Sequence, residues 1–228
     1  MPTAIVTGAS RGLGLALTQA LVERDWIVVV DGRGRDDLAR AWSASRGVLV
    51  IPGDVADPRH RLALVEAAGP DIDVVVNNAS VLGPSPLPAL AEYPLDDLRR
   101  VYEVNVTAPL GLIQLALPHV TEGGRILNIT SDAAVEAYAG WGGYGSSKAA
   151  LEQLTNILAA EHPELRVYAV DPGDMRTQMH QEAFPGEDIS DRPPPEESVP
   201  GLLLLIEGQL PSGRYRAREL GVGVEVKA

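Results

Sequence analysis

Short apolar runs rich in β-branched residues alternate along the chain with longer segments in which apolar residues recur at helical spacing. The runs that predict buried strands are Thr3–Thr7, Trp26–Asp31, Gly47–Ile51, Ile72–Val76, Arg125–Thr130, Arg166–Val170 and 213–215. The segments that predict helices are Leu13–Arg24, Asp36–Ser45, Arg59–Ala68, Leu95–Leu117 (interrupted by Pro109) and Gly143–Glu161. This alternation predicts an α/β fold in which helices flank both faces of a doubly wound parallel sheet, a three-layer α/β/α arrangement.

Two stretches interrupt this alternation. Residues 82–94 and 184–200 are rich in proline, glycine or acidic residues, and both follow strand ends, where open α/β sheets bind their ligands. We expect a substrate flap over about 174–200, mobile over 184–200.

Composition narrows the class of protein. The chain has 228 residues, which fits one domain over 1–228, and a net charge of −12, which argues against nucleic-acid binding. No apolar run approaches the roughly 20 residues that cross a bilayer; Leu202–Ile206 predicts a core element. The chain has no cysteine and does not open like a signal peptide, so we expect a soluble, cytoplasmic protein without a membrane partner.

The lysine content draws attention to one motif. Among 19 basic residues only Lys148 and Lys227 are lysines, and Lys148 follows Tyr144 by four positions, with Ser131 thirteen positions before the tyrosine. Positions i and i+4 share a helix face, so the ammonium would lie near the phenol and lower its pKa, which suits proton transfer near neutral pH. The alternative is an ordinary helix that exposes both side chains.

A glycine-rich turn lies between the first predicted strand and helix, in Thr7–Gly14. Glycines there let the backbone approach a phosphate and leave helix N-terminal amides pointing at it. The spacing is G-x-x-x-G-x-G, which differs from the G-x-G-x-x-G dinucleotide fingerprint, but its position between strand and helix favours nucleotide binding.

These motifs occur in an order that resembles one family. Thr7–Gly14, Asn77-Asn78-Ala79, Ser131, Tyr144 with Lys148, and Pro172-Gly173 followed by Thr177 resemble the short-chain dehydrogenase/reductase family over about residues 2–177. The resemblance implies a Rossmann-like single domain that transfers hydride between a nicotinamide and a carbonyl or alcohol.

The resemblance also implies roles for four residues. Ser131 would hydrogen-bond the substrate oxygen, Tyr144 would pass the proton, and Lys148 would hold the ribose hydroxyls while lowering the tyrosine pKa. Asn105 would anchor a water in a proton relay; alternatively, it is a polar residue that kinks a buried helix, and the two interpretations are compatible. Two hydroxyl donors directed at the substrate oxygen would stabilise the charge that develops there.

The choice of nicotinamide depends on the end of the second strand. Asp31, 17 residues after Gly14, is a generic NAD-selecting carboxylate. Comparison with the family instead places Gly32 at the selecting position and Arg33 where NADP-preferring relatives carry arginine, and Arg11 resembles their other phosphate-binding residue. We therefore favour NADP(H) over NAD(H), although both arginines could be solvated surface residues. The expected cofactor-binding residues are Gly8, Ser10, Arg11, Gly12, Leu13, Gly14, Arg33, Asp54, Val55, Asn77, Ala79, Tyr144, Lys148, Pro172, Gly173 and Thr177.

Several residues depart from the family or carry weaker signals. Ser80 stands where the family usually has glycine and adds a β-carbon near the cofactor. Asp132 follows Ser131 and is either a solvated or amide-capping carboxylate or a contact to a polar substrate. The histidines have no metal-ligand spacing, so we expect no catalytic metal and place them at the surface or at helix ends: His60, His119, His162 and His180.

The substrate pocket should be built from residues around 81–93, 132–143 and 174–190. Each residue of its expected apolar lining could equally belong to the core: Leu82, Tyr138, Trp141, Met175, Met179 and Phe184.

The chain end, 217–228, differs from the family's usual tail, so a homo-oligomer is expected either as a tetramer or as a dimer through the helices Leu95–Leu117 and Gly143–Glu161. The main hypothesis is an oxidoreductase acting on a small-molecule carbonyl or alcohol; the alternative is a catalytically silent dinucleotide-binding sensor or structural subunit.

Overall fold

The computed structural model describes residues 1–43 and 45–220. Its strands are Thr3–Val6 (β1), Ile27–Gly32 (β2), Val48–Pro52 (β3), Ile72–Asn77 (β4), Val120–Ile129 (β5), Arg166–Asp171 (β6) and Gly213–Arg216 (β7). They form a seven-stranded sheet in the order β3-β2-β1-β4-β5-β6-β7, and every neighbouring pair is parallel. The predicted last strand at 213–215 is therefore confirmed as β7.

Helices connect the strands, and their bounds follow the apolar periodicity closely in the first half of the chain. They are Gly12–Val22 (α1), Arg35–Trp42 (α2), Pro58–Ala68 (α3), Leu95–Tyr102 (α4), Ala108–Ala116 (α5), Gly142–Glu161 (α6), Gln178–Ala183 (α7), Val199–Glu207 (α8) and Ala217–Leu220 (α9). A π-helical segment, Glu103–Thr107, joins α4 to α5. Short 3-10 turns occur at Leu90–Glu92, Leu117–His119, Asp132–Ala134 and Pro195–Ser198.

Apolar side chains cover both faces of the sheet. On one face, alternate residues of β1 and β2 pack in a cluster with Leu17 of α1 and Leu202 of α8. On the other face, Ile5 of β1 packs with Leu64 of α3 and Leu112 of α5. A parallel sheet must be covered on both faces to bury its apolar residues, so the predicted three-layer α/β/α class is confirmed.

The strand order reverses at β1, which lies between β2 and β4. Connections on the two sides of such a point run to opposite faces of the sheet and leave a crevice at the carboxyl ends of the strands. Among the described residues, no helix is long and apolar enough to cross a membrane.

Candidate active site

A cavity of about 1110 Å³ opens at the carboxyl ends of β1, β2 and β4. Ligand sites in proteins commonly measure about 300–1,000 Å³, so this cavity has room for a dinucleotide-sized ligand. Its walls include most of the predicted cofactor-binding residues: Gly8, Ser10, Arg11, Gly12, Leu13, Arg33, Asp54, Val55, Ala79, Tyr144, Lys148, Pro172 and Thr177.

The glycine turn forms one wall because its backbone packs directly on the end of β4. Gly8 has φ +70°, and a Cβ there would lie 2.9 Å from the Cα of Ala79. A Cβ on Gly14 would lie 2.5 Å from Asn78 Nδ2, and that nitrogen donates to the carbonyls of Thr7 (2.8 Å) and Gly8 (3.2 Å). Gly14 therefore packs against Asn78 on the side of the turn away from the cavity and does not line it. Asn78 stabilises the turn through its two hydrogen bonds and was not among the predicted site residues.

Asp31 is fully engaged by the protein. The residue is only 1% exposed; Gly8 N donates to its Oδ1 at 2.6 Å, and its Oδ2 lies 3.0 Å from His60 Nε2. Both carboxylate oxygens are thus engaged, Oδ1 by the glycine turn and Oδ2 by His60 of α3, which disfavours Asp31 as a ribose ligand. His60 sits in the first turn of α3, but at 8% exposure it is a buried bracing residue, so the surface-or-helix-end expectation was incomplete for this histidine.

Beside the glycine turn, the rim of the cavity carries arginines and one ionised carboxylate. Burial opposes ionisation of Asp54, but hydrogen bonds from Ala56 N and Arg100 and the positive charges of Arg100 and Arg33 outweigh it and lower the pKa. Arg11 Nη1 donates to Gln178 Oε1 of α7. Arg33 is exposed on the cavity wall, and its guanidinium is close enough to act on Asp54.

Ser131 ends the loop that leaves β5. Its hydroxyl donates to Asp132 Oδ1 at 2.8 Å, and Ala133 N donates to that same Oδ1, also at 2.8 Å. The amide-capping interpretation of Asp132 is therefore confirmed. The cavity wall includes the neighbouring Thr130 but not Ser131, whose hydroxyl is directed to the carboxylate.

Tyr144 and Lys148 lie on α6 and both line the cavity, as the i, i+4 spacing predicts. Lys148 is 2% exposed; its Nζ donates to the Ile129 carbonyl at 2.8 Å and lies 5.4 Å from the centroid of the Tyr144 ring. The alternative of an ordinary helix that exposes both side chains is therefore wrong.

The electrostatics of this pair differ from the sequence expectation. Burial lowers the pKa of Lys148 to about 7. Burial, followed by the charges of Asp171 and Asp132, raises the pKa of Tyr144, while a hydrogen bond from Ser80 lowers it. The prediction that the ammonium lowers the tyrosine pKa was wrong for the chain itself, because desolvation acts against the charged form of both groups.

Asn105 lies in the π-helical segment and is completely buried. Its Nδ2 donates to Val81 O (2.9 Å) and Ser147 Oγ (3.0 Å), and its Oδ1 accepts from Val81 N (2.9 Å) and Ser80 Oγ (3.0 Å). The side chain thus ties the segment after β4 to α6. This matches the interpretation of a polar residue in an irregular buried helix.

Two other predicted cofactor residues lie away from the cavity wall. Asn77 was expected on the cavity floor, but its Nδ2 donates to Asn128 Oδ1 at 2.8 Å inside the sheet, and the prediction was wrong for its side chain. Gly173 has φ +73° and shapes the turn after β6 without lining the cavity, whereas Pro172 beside it does line it.

The predicted substrate lining divides into two groups. Leu82, Met175 and Met179 line the cavity. Tyr138, Trp141 and Phe184 do not: Tyr138 is 43% exposed and its hydroxyl meets Glu136 and Asp132, while Trp141 packs edge-on against Tyr144 with ring centroids 5.8 Å apart.

The predicted flap over 174–200 contains two short helical elements, α7 and the 3-10 turn before α8, joined by irregular segments. Ser85 Oγ donates to the carbonyl of Glu182 at 2.7 Å, so the flap contacts the 82–94 segment across the cavity mouth. In the described part of the chain no cluster of three metal-ligating side chains occurs.

A doubly wound parallel sheet with a glycine turn and a Tyr–Lys pair at its carboxyl edge is the arrangement of a Rossmann-type nucleotide-binding fold. The chain belongs to the short-chain dehydrogenase family, whose model matches residues 2–188. It is 33% identical over 193 residues to a benzil reductase, (S)-benzoin forming, from Saccharomyces cerevisiae (78% of this chain, 73% of the relative). It is 34% identical over 185 residues to a serine 3-dehydrogenase from Rhizobium radiobacter (78% and 73%).

Solved structures agree with the family. A short chain dehydrogenase from Shigella flexneri complexed with NADP superposes with a TM-score of 0.88 at 27% identity, over 95% of this chain and 97% of that one. The predicted family membership is therefore confirmed, and the chain is an oxidoreductase of this family that acts on a small molecule with a nicotinamide cofactor.

Proposed function

We propose that the protein transfers hydride between NADP(H) and a small or medium carbonyl or alcohol, with Tyr144 as general acid and base. The observation that carries the proposal is the Tyr144–Lys148 pair, which lines the same cavity as the glycine turn. A dinucleotide held by that turn would have a proton donor and a buried amine at its far end.

The residues present fit a dinucleotide. The glycine turn is a cradle that a Cβ would fill, since one on Gly8 would meet backbone of Ala79 at 2.9 Å. Gly8, Gly12 and the first amides of α1 would hold the pyrophosphate, and Asp54 with Val55 would lie at the adenine end. When bound, the nicotinamide dinucleotide supplies or takes up the hydride.

The protein's own residues then transfer one proton to the substrate oxygen and stabilise the negative charge that develops on it. In reduction, Tyr144 donates its phenolic proton to the substrate oxygen as negative charge grows there, and Ser131 donates a hydrogen bond to the same oxygen. For this, Ser131 has to exchange its present acceptor, Asp132 Oδ1, for the substrate oxygen. Lys148, held at the Ile129 carbonyl, places a positive charge beside the tyrosine whenever it is protonated.

Three observations support NADP(H) over NAD(H). Both oxygens of Asp31 are taken by Gly8 and His60. A Cβ on Gly32 would lie only 3.3 Å from Ser10, so the position leaves little room for a carboxylate side chain that would select NAD(H). Arg33 stands exposed on the cavity wall, and the donor fork of its guanidinium suits a 2′-phosphate.

The cofactor preference is tested by Arg33→Ala, with the exposed Arg40→Ala on α2 as control. Removing a guanidinium from a phosphate should weaken NADPH binding about 10- to 100-fold and leave NADH binding within about twofold. Fluorescence titration of both cofactors provides the measurement. Equal losses for both would point to NAD(H) or to a structural role of Arg33.

Catalysis itself is tested by Tyr144→Phe on a carbonyl panel. The relatives' names suggest a panel that contains an aromatic diketone such as benzil, a 3-oxoacyl thioester and, for oxidation, a hydroxy amino acid. We expect the wild type to oxidise NADPH with at least one substrate, and Tyr144→Phe to bind NADPH normally but to lose essentially all turnover. Tight NADPH binding with no wild-type turnover on any substrate would favour the silent sensor or structural subunit.

A homo-oligomer is also part of the proposal. Leu95 on α4 is 63% exposed and Ile157 on α6 is 43% exposed, which supports association through these helices. Light scattering should give a dimer or tetramer mass, and Ile157→Asp should dissociate it if α6 forms the contact. A monomeric wild type would remove this part of the proposal.

A further inference from the structure

Ser80 belongs both to the wall of the candidate active site and to a polar hydrogen-bond network behind it. It follows Ala79 just beyond β4 and lines the same cavity as Tyr144. Its Oγ donates to Asn105 Oδ1 at 3.0 Å. A hydroxyl has a single proton and an amide oxygen only accepts, so in this arrangement the Ser80 proton is directed to Asn105.

Asn105 does not depend on that proton. Its Oδ1 also accepts a hydrogen bond from Val81 N at 2.9 Å, and its Nδ2 donates to Val81 O and to Ser147 Oγ. If the Ser80 hydroxyl turned away, the amide oxygen would still be paired, so no buried acceptor would be left unsatisfied. The Ser80 hydroxyl is therefore free to change its acceptor at little cost.

The same asparagine fixes Ser80 relative to the tyrosine. Ser147 Oγ accepts from Asn105 Nδ2 at 3.0 Å and donates to the main-chain carbonyl of Tyr144 at 2.6 Å. One continuous network thus joins Ser80 after β4 to the first turns of α6. Ser80 and Tyr144 therefore lie on two elements that this network joins, and both line the same cavity.

The charged groups around the phenol oppose its ionisation. Burial has the largest effect, and then Asp171 at the end of β6 and Asp132 after β5 raise the pKa of Tyr144. Lys148 is the charged neighbour on its own helix, but burial lowers its pKa to about 7. Ser80 acts the other way, because a hydrogen bond from its hydroxyl to the phenolate would stabilise the charge and lower the pKa of Tyr144.

We propose that Ser80 is a positioning residue for Tyr144, whose hydroxyl turns from Asn105 to the phenolate oxygen whenever Tyr144 has given up its proton. This inference rests on the proposed function, in which Tyr144 exchanges a proton with the substrate oxygen. In reduction the phenol O–H bond breaks and the proton joins the substrate oxygen. Ser80 keeps its own proton and changes only the acceptor to which it donates, and in oxidation the exchange runs in reverse.

The kinetic test compares Ser80→Ala with Ser80→Thr, which keeps a hydroxyl, and with the exposed Ser146→Ala on α6 as a matched control. In Ser80→Ala, loss of a hydrogen bond to a charged oxygen should lower kcat for alcohol oxidation about 10- to 100-fold at pH values below the rising limb of the plot of kcat against pH. That rising limb should move to higher pH by about one to two units, while KM stays within about twofold. Ser80→Thr and Ser146→Ala should behave like the wild type.

A second readout does not need turnover. In protein labelled with carbon-13 at tyrosine Cζ, the Tyr144 resonance is the one lost in Tyr144→Phe. As the pH is raised, this resonance should report ionisation of Tyr144 at a higher pH in Ser80→Ala than in the wild type, and Ser80→Thr and Ser146→Ala should leave the titration in place. An unchanged titration of this resonance and an unchanged pH profile in Ser80→Ala would overturn the inference, as would Ser80→Thr failing in the same way as Ser80→Ala. If the wild type shows no turnover, the proposed function fails while the resonance still decides the role of Ser80.

Discussion

Burial of Lys148 should leave a measurable trace in the pH dependence of stability. Desolvation lowers its pKa from the ordinary value of 10.5 to about 7 in the folded chain, whereas the unfolded chain keeps the ordinary value. Between these two values the unfolded state binds more protons at this site than the folded state. The free energy of unfolding must therefore rise with pH across this window, and the rise ends above the unfolded pKa.

The size of the effect follows from the two pKa values. At about pH 7 half of the folded molecules carry the proton on Lys148, and at about pH 9 almost none do, while the unfolded chain remains almost fully protonated. Integrating the difference in bound protons over this interval gives a gain in unfolding free energy of about 2 kcal/mol.

Urea denaturation of the wild type and Lys148→Met at the two pH values measures this gain. The variant cannot titrate at this position, so the wild type should gain about 2 kcal/mol more than Lys148→Met between about pH 7 and about pH 9. Tyr144→Phe is a matched control: the pKa of Tyr144 is raised in the folded state, so it stays protonated in both states and the variant should keep the wild-type gain. Equal gains in the wild type and Lys148→Met would refute the reasoning.

Three further substitutions test the structure around the cavity. Gly14→Ala places a Cβ 2.5 Å from Asn78 Nδ2; we expect a loss of about 1–3 kcal/mol in unfolding free energy and weaker NADPH binding, measured by urea denaturation and fluorescence titration. Asp31→Ala removes two buried hydrogen bonds of a carboxylate and should cost about 3–5 kcal/mol in the same denaturation assay; a loss below about 0.5 kcal/mol would exclude a bracing role. Asp171→Asn removes a negative charge that raises the pKa of Tyr144, so the rising limb of the oxidation pH profile should move to lower pH; a shift to higher pH would contradict the assigned electrostatics.

Apolar patterning was sufficient to predict the sheet and the earlier helices. The run Ile72–Val76 predicts β4 to within one residue, because a strand buried on both faces is mostly apolar, with Asp73 as the polar residue of this run. Patterning did not predict the start of β5. The strand begins at Val120, but Glu122 and the glycines at 123 and 124 interrupt the apolar run, so the sequence predicted a strand only from Arg125. Leu202–Ile206 was correctly predicted as core, yet five apolar residues do not distinguish a strand from the helix that α8 proves to be.

The candidate site was predictable where function depends on spacing along the chain. Tyr144 and Lys148 share a helix face, so their proximity follows from the sequence alone. The hydrogen-bond partners of Asp31 and Asn77 could not be predicted in this way, because His60 and Asn128 reach them from elements far away in sequence. The same holds for the pKa of Tyr144, since desolvation depends on everything packed around a group.

The most direct test of the account is deuterium transfer from NADPH deuterated at the transferable position of its nicotinamide, detected in the alcohol product by mass spectrometry. The wild type should place deuterium on the former carbonyl carbon of at least one panel substrate, and Tyr144→Phe, with unchanged NADPH binding, should place essentially none. Equal incorporation by the wild type and Tyr144→Phe would contradict the account, because the proton would then come from a group other than the buried phenol.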